Sequence, residues 1–174
     1  IAQTDAYRLV HSAGDGLPGI TVDRLGSLLL VERHRREVDL EPILDSLQEI
    51  YGKVQPIFVK ERWSKNPSLL RGEQVRGNEA SSKVIVKENG LSLAVDLCQG
   101  EHIGLFLDGR AVRRRVKEIS GGKRVLNLFA YTCAFGVVAA AGGARSTTNV
   151  DNKRSALEAG RKNYELNRLP TDSR

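Results

Sequence analysis

The sequence predicts an α/β protein in two parts: a small α+β domain over residues 6–82, then half of a Rossmann-like fold over residues 83–174. Three observations predict it. The first part reads strand, strand, helix, strand. The second reads helix, strand, helix, strand, helix, the pattern of parallel strands joined by crossover helices. Between them Asn89-Gly90 separates two alternating runs, the strongest short-range hairpin signal, because both turn residues need positive φ.

Gly14–Gly19 is a turn-rich loop, and Ile20–Asp23 and Leu28–Glu32 are short aliphatic runs joined through Arg24-Leu25-Gly26-Ser27 as a hairpin. Ile43, Leu44, Leu47, Ile50 and Tyr51 form one apolar stripe of a helix. Pro42 suits its first turn and Gly52 its end. Ile57–Lys60 is a third strand. Residues 62–79 show no period and read as irregular. Val84–Glu88 and Leu91–Leu97 are the hairpin strands.

After a loop over 99–107, a helix is expected over Asp108–Ile119 with Val112, Val116 and Ile119 inward. Gly121-Gly122 ends it. Arg124–Leu128 and Thr147–Val150 are buried-type strands. Phe135–Ala141 and Asn152–Asn167 are the helices that follow them, the last with Leu157, Gly160 or Arg161, and Tyr164 inward.

The chain has 174 residues, with 27 Lys+Arg against 21 Asp+Glu and a net charge of +6. That length folds without staples. Two distant cysteines, Cys98 and Cys133, argue against a disulfide framework and a four-ligand zinc site, and no metal is expected. No apolar run reaches the roughly 18–20 residues of a membrane helix, and no secretory signal is visible, so a cytoplasmic protein without a membrane partner is expected. The positive charge suits solubility and is compatible with a polyanion such as RNA. The chain starts at Ile1 and contains no methionine, which leads us to expect a piece of a longer protein.

The most informative stretch is Val125–Thr132, where a buried strand runs into a tight loop before a helix. In open α/β sheets, ligands bind at the carboxyl ends of strands. The next strand closes on Asp151, 24 residues after Asn127, where a carboxylate can accept hydrogen bonds from both hydroxyls of a ribose. The G-x-G-x-x-G of a dinucleotide site is absent. Asn127, Tyr131 and Thr132 suit a ligand with an amino-acid tail and no phosphate, which fits S-adenosyl-L-methionine better than NAD. The same strand, loop and helix could equally hold no ligand.

Two ordered blocks carry a family resemblance. Gly100-Glu101-His102-Ile103-Gly104-Leu105-Phe106-Leu107-Asp108-Gly109-Arg110 precedes Val125-Leu126-Asn127-Leu128-Phe129-Ala130-Tyr131-Thr132 and Asn149-Val150-Asp151. Together they resemble the class I methyltransferases that modify large-subunit ribosomal RNA at cytosine carbon 5. Gly14–Arg24 resembles the signature of that family's central domain, and the likeness spans about residues 7–167. It implies the N-terminal half of a Rossmann-like methyltransferase fold, S-adenosyl-L-methionine as cofactor and ribosomal RNA as partner. It implies cofactor contacts from Phe106, Asp108 and Arg110, with Asn127, Phe129, Tyr131 and Thr132 around the methionine moiety and Asp151 at the ribose. For Asp108 and Arg110 the residues alone suggest a helix N-cap and a solvated or salt-bridged arginine.

The chain departs from the family pattern in places. Cys133-Ala134 replaces a common Gly-Gly, so a Cβ is expected to narrow the approach to the ligand. His102-Ile103 replaces a usual Lys-Thr. The family's N-terminal RNA-binding domain is missing, as is the later acidic residue for the adenine. So are the D-P-P-like loop and the cysteine that adds to the pyrimidine ring before methyl transfer. The catalytic residue is therefore unknown, and both cysteines read as small buried thiols. A fragment lacking both ends is expected.

Arg113-Arg114-Arg115-Lys117 is expected on exposed helix faces, followed by Lys123-Arg124. RNA contact through Arg113, Arg114 and Lys117 stands beside a plain solvated surface as the reading of this cluster. His11 and His34 read as surface residues. Two strands alone leave an apolar edge and face, so self-association into a homo-oligomer is expected. The rival functions are a non-catalytic RNA-binding or assembly module and a nicotinamide-dependent oxidoreductase.

Overall fold

The structure is a computed structural model and describes residues 3–171; the final three residues of the expected second domain lie outside the described residues. Its elements form two compact units, and the chain passes between them more than once. Asp5–Val84 and Val95–Ile103 make the first unit. The second contains Ile85–Ala94 and residues 104–171, with Gln3 and Thr4. The single boundary at 82/83 drawn from the sequence thus meets a chain that returns to the first unit for nine residues.

The first unit is built on β1 (Ala6–His11), β2 (Ile20–Leu25), β3 (Leu28–Arg33), α1 (Glu41–Tyr51), β4 (Ile57–Glu61) and β5 (Glu73–Arg76). The five strands form one sheet in sequence order. Neighbours are antiparallel except β3 and β4, which α1 connects in parallel. One sheet face and α1 bury Ile20, Val22, Leu29, Val31, Leu44, Leu47, Ile57 and Val59. Each large aliphatic side chain so buried contributes about 1.5–3 kcal/mol. Ile50, placed in the α1 stripe by its spacing, is exposed instead.

The strand–strand–helix–strand pattern is corrected by β1 and β5. β1 is recruited across the sheet: the Arg8 guanidinium meets the Asp23 carboxylate on β2 at 2.8 and 3.0 Å. β5 is a short charged edge strand with one apolar residue, Val75, too brief to show a period. The face opposite α1 carries buried polar groups, among them Thr21, Asp23 and Lys60. Lys60 is fully buried, and its Nζ donates to the Gly100 carbonyl at 2.6 Å. Loss of water around the ammonium lowers its pKa to about 8.

The second unit contains most of the hairpin β6 (Lys83–Glu88) and β7 (Leu91–Asp96), then α2 (Arg110–Ile119), β8 (Arg124–Leu128), α3 (Ala134–Ala141), β9 (Ser146–Val150) and α4 (Arg154–Leu166). Asn89 and Gly90 take φ of 49° and 82°, as a tight hairpin turn requires. Two asparagines of the last helix and its end satisfy the free backbone of β7. The Asn163 side chain accepts from the Ala94 amide at 2.8 Å, and Asn167 bonds both the amide and the carbonyl of Ser92.

β8 and β9 pair in parallel from Arg124↔Ser146 to Leu128↔Val150. Val125, Asn127, Thr147 and Asn149 lie on the more buried face, while Leu126, Leu128 and Val150 on the other face are solvent-exposed, Leu126 by 62%.

The orientation of α2 differs from the expected one. Val112 is 57% exposed and Ile119 is exposed, whereas Arg113 is 1% exposed and Ser120 is also buried. The buried side runs through 113, 116, 117 and 120 rather than 112, 116 and 119. Glu88 on β6 supplies the reason: its carboxylate receives the Arg113 guanidinium through two bonds of 2.7 Å. A counter-charge in the interior outweighs the apolar stripe as the guide to the helix's rotation. Arg113 is therefore corrected from an exposed RNA contact to a buried ion-pair member.

Candidate functional site

The second unit gathers its polar and aromatic groups where β8 and β9 end side by side. Beyond β8 the chain turns through Phe129, Tyr131 and Cys133, all with positive φ (54°, 49° and 59°). Each such non-glycine residue costs about 1–2 kcal/mol in this region. Three within five residues mark strain held by the surroundings, a recurrent property of ligand loops. The Ala130 amide continues the pairing by donating to the Val150 carbonyl at 3.0 Å.

Asp151 then ties the two strand ends together. Its Oδ2 accepts from the Tyr131 amide at 2.7 Å and its Oδ1 from the Lys153 amide at 2.8 Å. These amides, Lys153 first, hold the carboxyl below its usual pKa range, so it is ionised at neutral pH. Each oxygen keeps a further lone pair, so the carboxylate can still accept two hydroxyl donors.

The loop after β8 and the segment from Gly104 also carry aromatic residues. Phe106 and Tyr131 lie 5.6 Å apart at a 50° tilt. Phe129 projects with 92% of its surface exposed. Burial raises the Tyr131 phenol pKa, only partly offset by a hydrogen bond with the Gly104 backbone. The buried Thr132 hydroxyl donates to the Gly104 carbonyl at 2.5 Å. The loop after β8 is thereby fastened to the segment that starts at Gly104.

The remaining expected residues fall as follows. Asp108 is exposed in a 3-10 turn, Leu107–Gly109, and Arg110 is the exposed first residue of α2. The N-cap of α2 is Gly109 and no side chain caps it, so Asp108 does not fill the capping role. Asn127 donates to Asn149 Oδ1 at 2.9 Å, and Asn149 in turn donates to the Tyr164 hydroxyl at 3.0 Å. Arg114 and Arg115 approach Glu118 on the surface of α2, and Lys117 is half-buried.

Sequence reasoning missed two contributors, Glu88 and Asn163, and placed either Gly160 or Arg161 inward on α4; Gly160 is the buried one and Arg161 is exposed. The Asn163 amide group donates to the Thr132 carbonyl at 2.9 Å. Gly160 permits Cys133 to be buried: a Cβ on Gly160 would stand 2.3 Å from Cys133 Sγ. The expected narrowing by Cys133 thus has a local outlet, because its side chain packs toward the gap in α4. The i, i+3, i+4 run Gly160, Asn163, Tyr164 was the available signal. Burial also raises the Cys133 thiol to a pKa of about 11.

The residue set suits a nucleoside with an amino-acid tail: an ionised acceptor at the strand end, aromatic residues in the adjoining loop, and no glycine-rich phosphate cradle. Among the described residues no group of three His, Cys, Asp or Glu could hold a metal ion, and no helix is long and apolar enough to cross a membrane.

Comparison with known proteins bears on the fold and the family. Over 172 residues the chain is 35% identical to the ribosomal RNA large subunit methyltransferase of Deinococcus radiodurans, covering 94% of this chain and 42% of that protein. It is 36% identical over 171 residues to ribosomal RNA large subunit methyltransferase I of Serratia proteamaculans, covering 95% and 43%. The structure of SMU.776 complexed with SAH superposes with a TM-score of 0.86 at 33% identity, covering 98% of this chain and 44% of that one. The chain thus spans less than half the length of these relatives. The family model described as S-adenosylmethionine-dependent methyltransferase matches residues 57–171, and the chain belongs to that family.

Proposed function

We propose that this chain carries the S-adenosyl-L-methionine-binding part of an enzyme that methylates large-subunit ribosomal RNA, at carbon 5 of a cytosine. The observation that carries the reading is Asp151, ionised and anchored to the Tyr131 amide where two parallel strands end. When bound, the cofactor supplies an electrophilic methyl group on a sulfonium. Asp151 accepts the ribose hydroxyls. Phe106, Phe129 and Tyr131 flank the methionine portion, with Asn127 and Thr132 setting the loop behind them and Asp108 and Arg110 entering from the preceding turn.

Neither cysteine serves as the attacking group in this reading. The Cys133 thiol is buried with its pKa raised, and Cys98 Sγ is directed at the Gly72 carbonyl at 2.8 Å. The relatives named for ribosomal RNA support RNA as the partner, met by Arg114 and Lys117 on α2 without Arg113.

Calorimetric titration of the chain with S-adenosylhomocysteine and with NADH tests the reading. S-adenosylhomocysteine is expected to bind, with affinity falling at least tenfold in Asp151→Ala. Binding of NADH alone, or an unchanged affinity in Asp151→Ala, overturns it.

A further inference from the structure

The ion pair between Arg113 and Glu88 is almost wholly buried and bidentate. Burial of such a pair is not by itself a source of stability, since well-packed apolar replacements are often neutral or better. Its effect on its neighbours is specific. The same Arg113 Nη2 that bonds Glu88 also donates to the Phe106 carbonyl at 2.7 Å. The guanidinium lies 5.6 Å from the centre of the Phe135 ring, on the first turn of α3. The turn before α2 is shaped around it, for a Cβ on Gly109 would stand 2.5 Å from Arg113 Nη1.

One guanidinium therefore joins β6, the segment Gly104–Arg110 and the start of α3. That segment is held at its beginning by the Thr132 hydroxyl on the Gly104 carbonyl and at Phe106 by Arg113. The Phe106 ring packs on Tyr131 between these anchors. Because Glu88 neutralises the guanidinium, the site offers an oriented donor without a free charge. It suits a backbone carbonyl and not a ligand carboxylate or a phosphate.

We propose that Arg113, held by Glu88, is a positioning residue that sets the segment carrying Phe106, Asp108 and Arg110 against the loop 129–133 for binding of the cofactor. The inference rests on the reading of this site as an S-adenosyl-L-methionine pocket.

The test uses the full 174-residue chain and the double variant Arg113→Met/Glu88→Leu, which removes both charges together. Three measurements are made: urea unfolding, amide hydrogen exchange and titration with S-adenosylhomocysteine. The double variant is expected to unfold cooperatively near the parent's midpoint. Amides of 104–110 should exchange at least tenfold faster, with those of β8 and α4 unchanged. The dissociation constant should rise at least tenfold. Parental exchange in 104–110 together with parental affinity overturns the inference and leaves the pair a core filler.

Should the double variant not fold, Arg113→Lys keeps the charge opposite Glu88 but lacks the fork that reaches both partners. It is expected to show the same faster exchange, and parental exchange in that variant overturns the inference. The exchange arm needs no ligand, so a parent chain that binds no S-adenosylhomocysteine refutes the pocket while exchange still decides the role of Arg113.

Discussion

The amide of Tyr131 lies 2.7 Å from Oδ2 of Asp151, so the loop after β8 hangs on the acid that follows β9. Because Tyr131 has positive φ, the bond also opposes the strain of the loop it ends in. Amide donors lower the Asp151 pKa, so its ionised form is favoured in the folded chain. The sign follows: this stabilisation is complete above the unfolded carboxylate value, about 3.9, and is lost as pH falls through the lower folded value. S-adenosylhomocysteine affinity is expected to show no Asp151-linked change between pH 7 and pH 5. A parent-specific loss of affinity in that interval, absent from Asp151→Asn, would contradict this.

Gly160 and Cys133 form a second couple. Gly160→Ala drives a methyl group into Cys133 Sγ and should destabilise the chain by about 1–3 kcal/mol. With Cys133→Gly the sulfur and its Cβ are gone and only the Thr132 carbonyl carbon, 3.3 Å from the new methyl group, is left close, so the same alanine should cost less than about 1 kcal/mol. A double-mutant cycle in urea reads the coupling; additive effects would count against the packing described.

Lys60 gives a pH effect in the opposite range. Its folded pKa, about 8, lies below the ordinary 10.5, so the unfolded chain binds the extra proton between these values. Stability should therefore rise with pH from about 8 toward 10.5, by at most about 1.4 kcal/mol per pH unit. The measurement is the slope of unfolding free energy against pH in the parent minus that in Lys60→Met. Equal slopes would exclude a buried, titrating ammonium.

For RNA, Arg114→Ala and Lys117→Ala should each weaken binding across sequences. Each should also reduce the slope of log affinity against log salt by about 0.7–0.9. Filter binding to ribosomal RNA across a salt series reads this. An unchanged slope in both variants removes α2 from the RNA surface.

The exposed Leu126, Leu128 and Val150 give a prediction about association. Sedimentation velocity should show self-association of the chain that falls in Leu126→Lys/Leu128→Lys. A parent that stays monomeric at high concentration would show that this apolar face does not drive contact between copies.

Where the governing interaction was local, the sequence was readable. Asn89-Gly90 announces its turn because two adjacent residues decide it, and Asp151 follows a short strand whose end it marks. β1 was hidden because Arg8 answers to Asp23, across a sheet that must already exist. The rotation of α2 was misread because its arbiter, Glu88, sits 25 residues earlier on a strand. Cys133 is buried as its residue type suggested, but the gap that receives its side chain, a missing Cβ one helix away, was not legible. At the candidate site, the residue types were visible, but the bonds that orient them come from partners distant in sequence.

The return of Val95–Ile103 to the first unit has a consequence for dissection. The Leu97 carbonyl receives the Gly72 amide, and the Leu97 amide donates to Ser82, so residues 5–84 leave those groups unanswered when expressed by themselves. No single cut separates the chain into two self-sufficient peptides: after a protease nick within 85–94, each fragment still carries segments of both units.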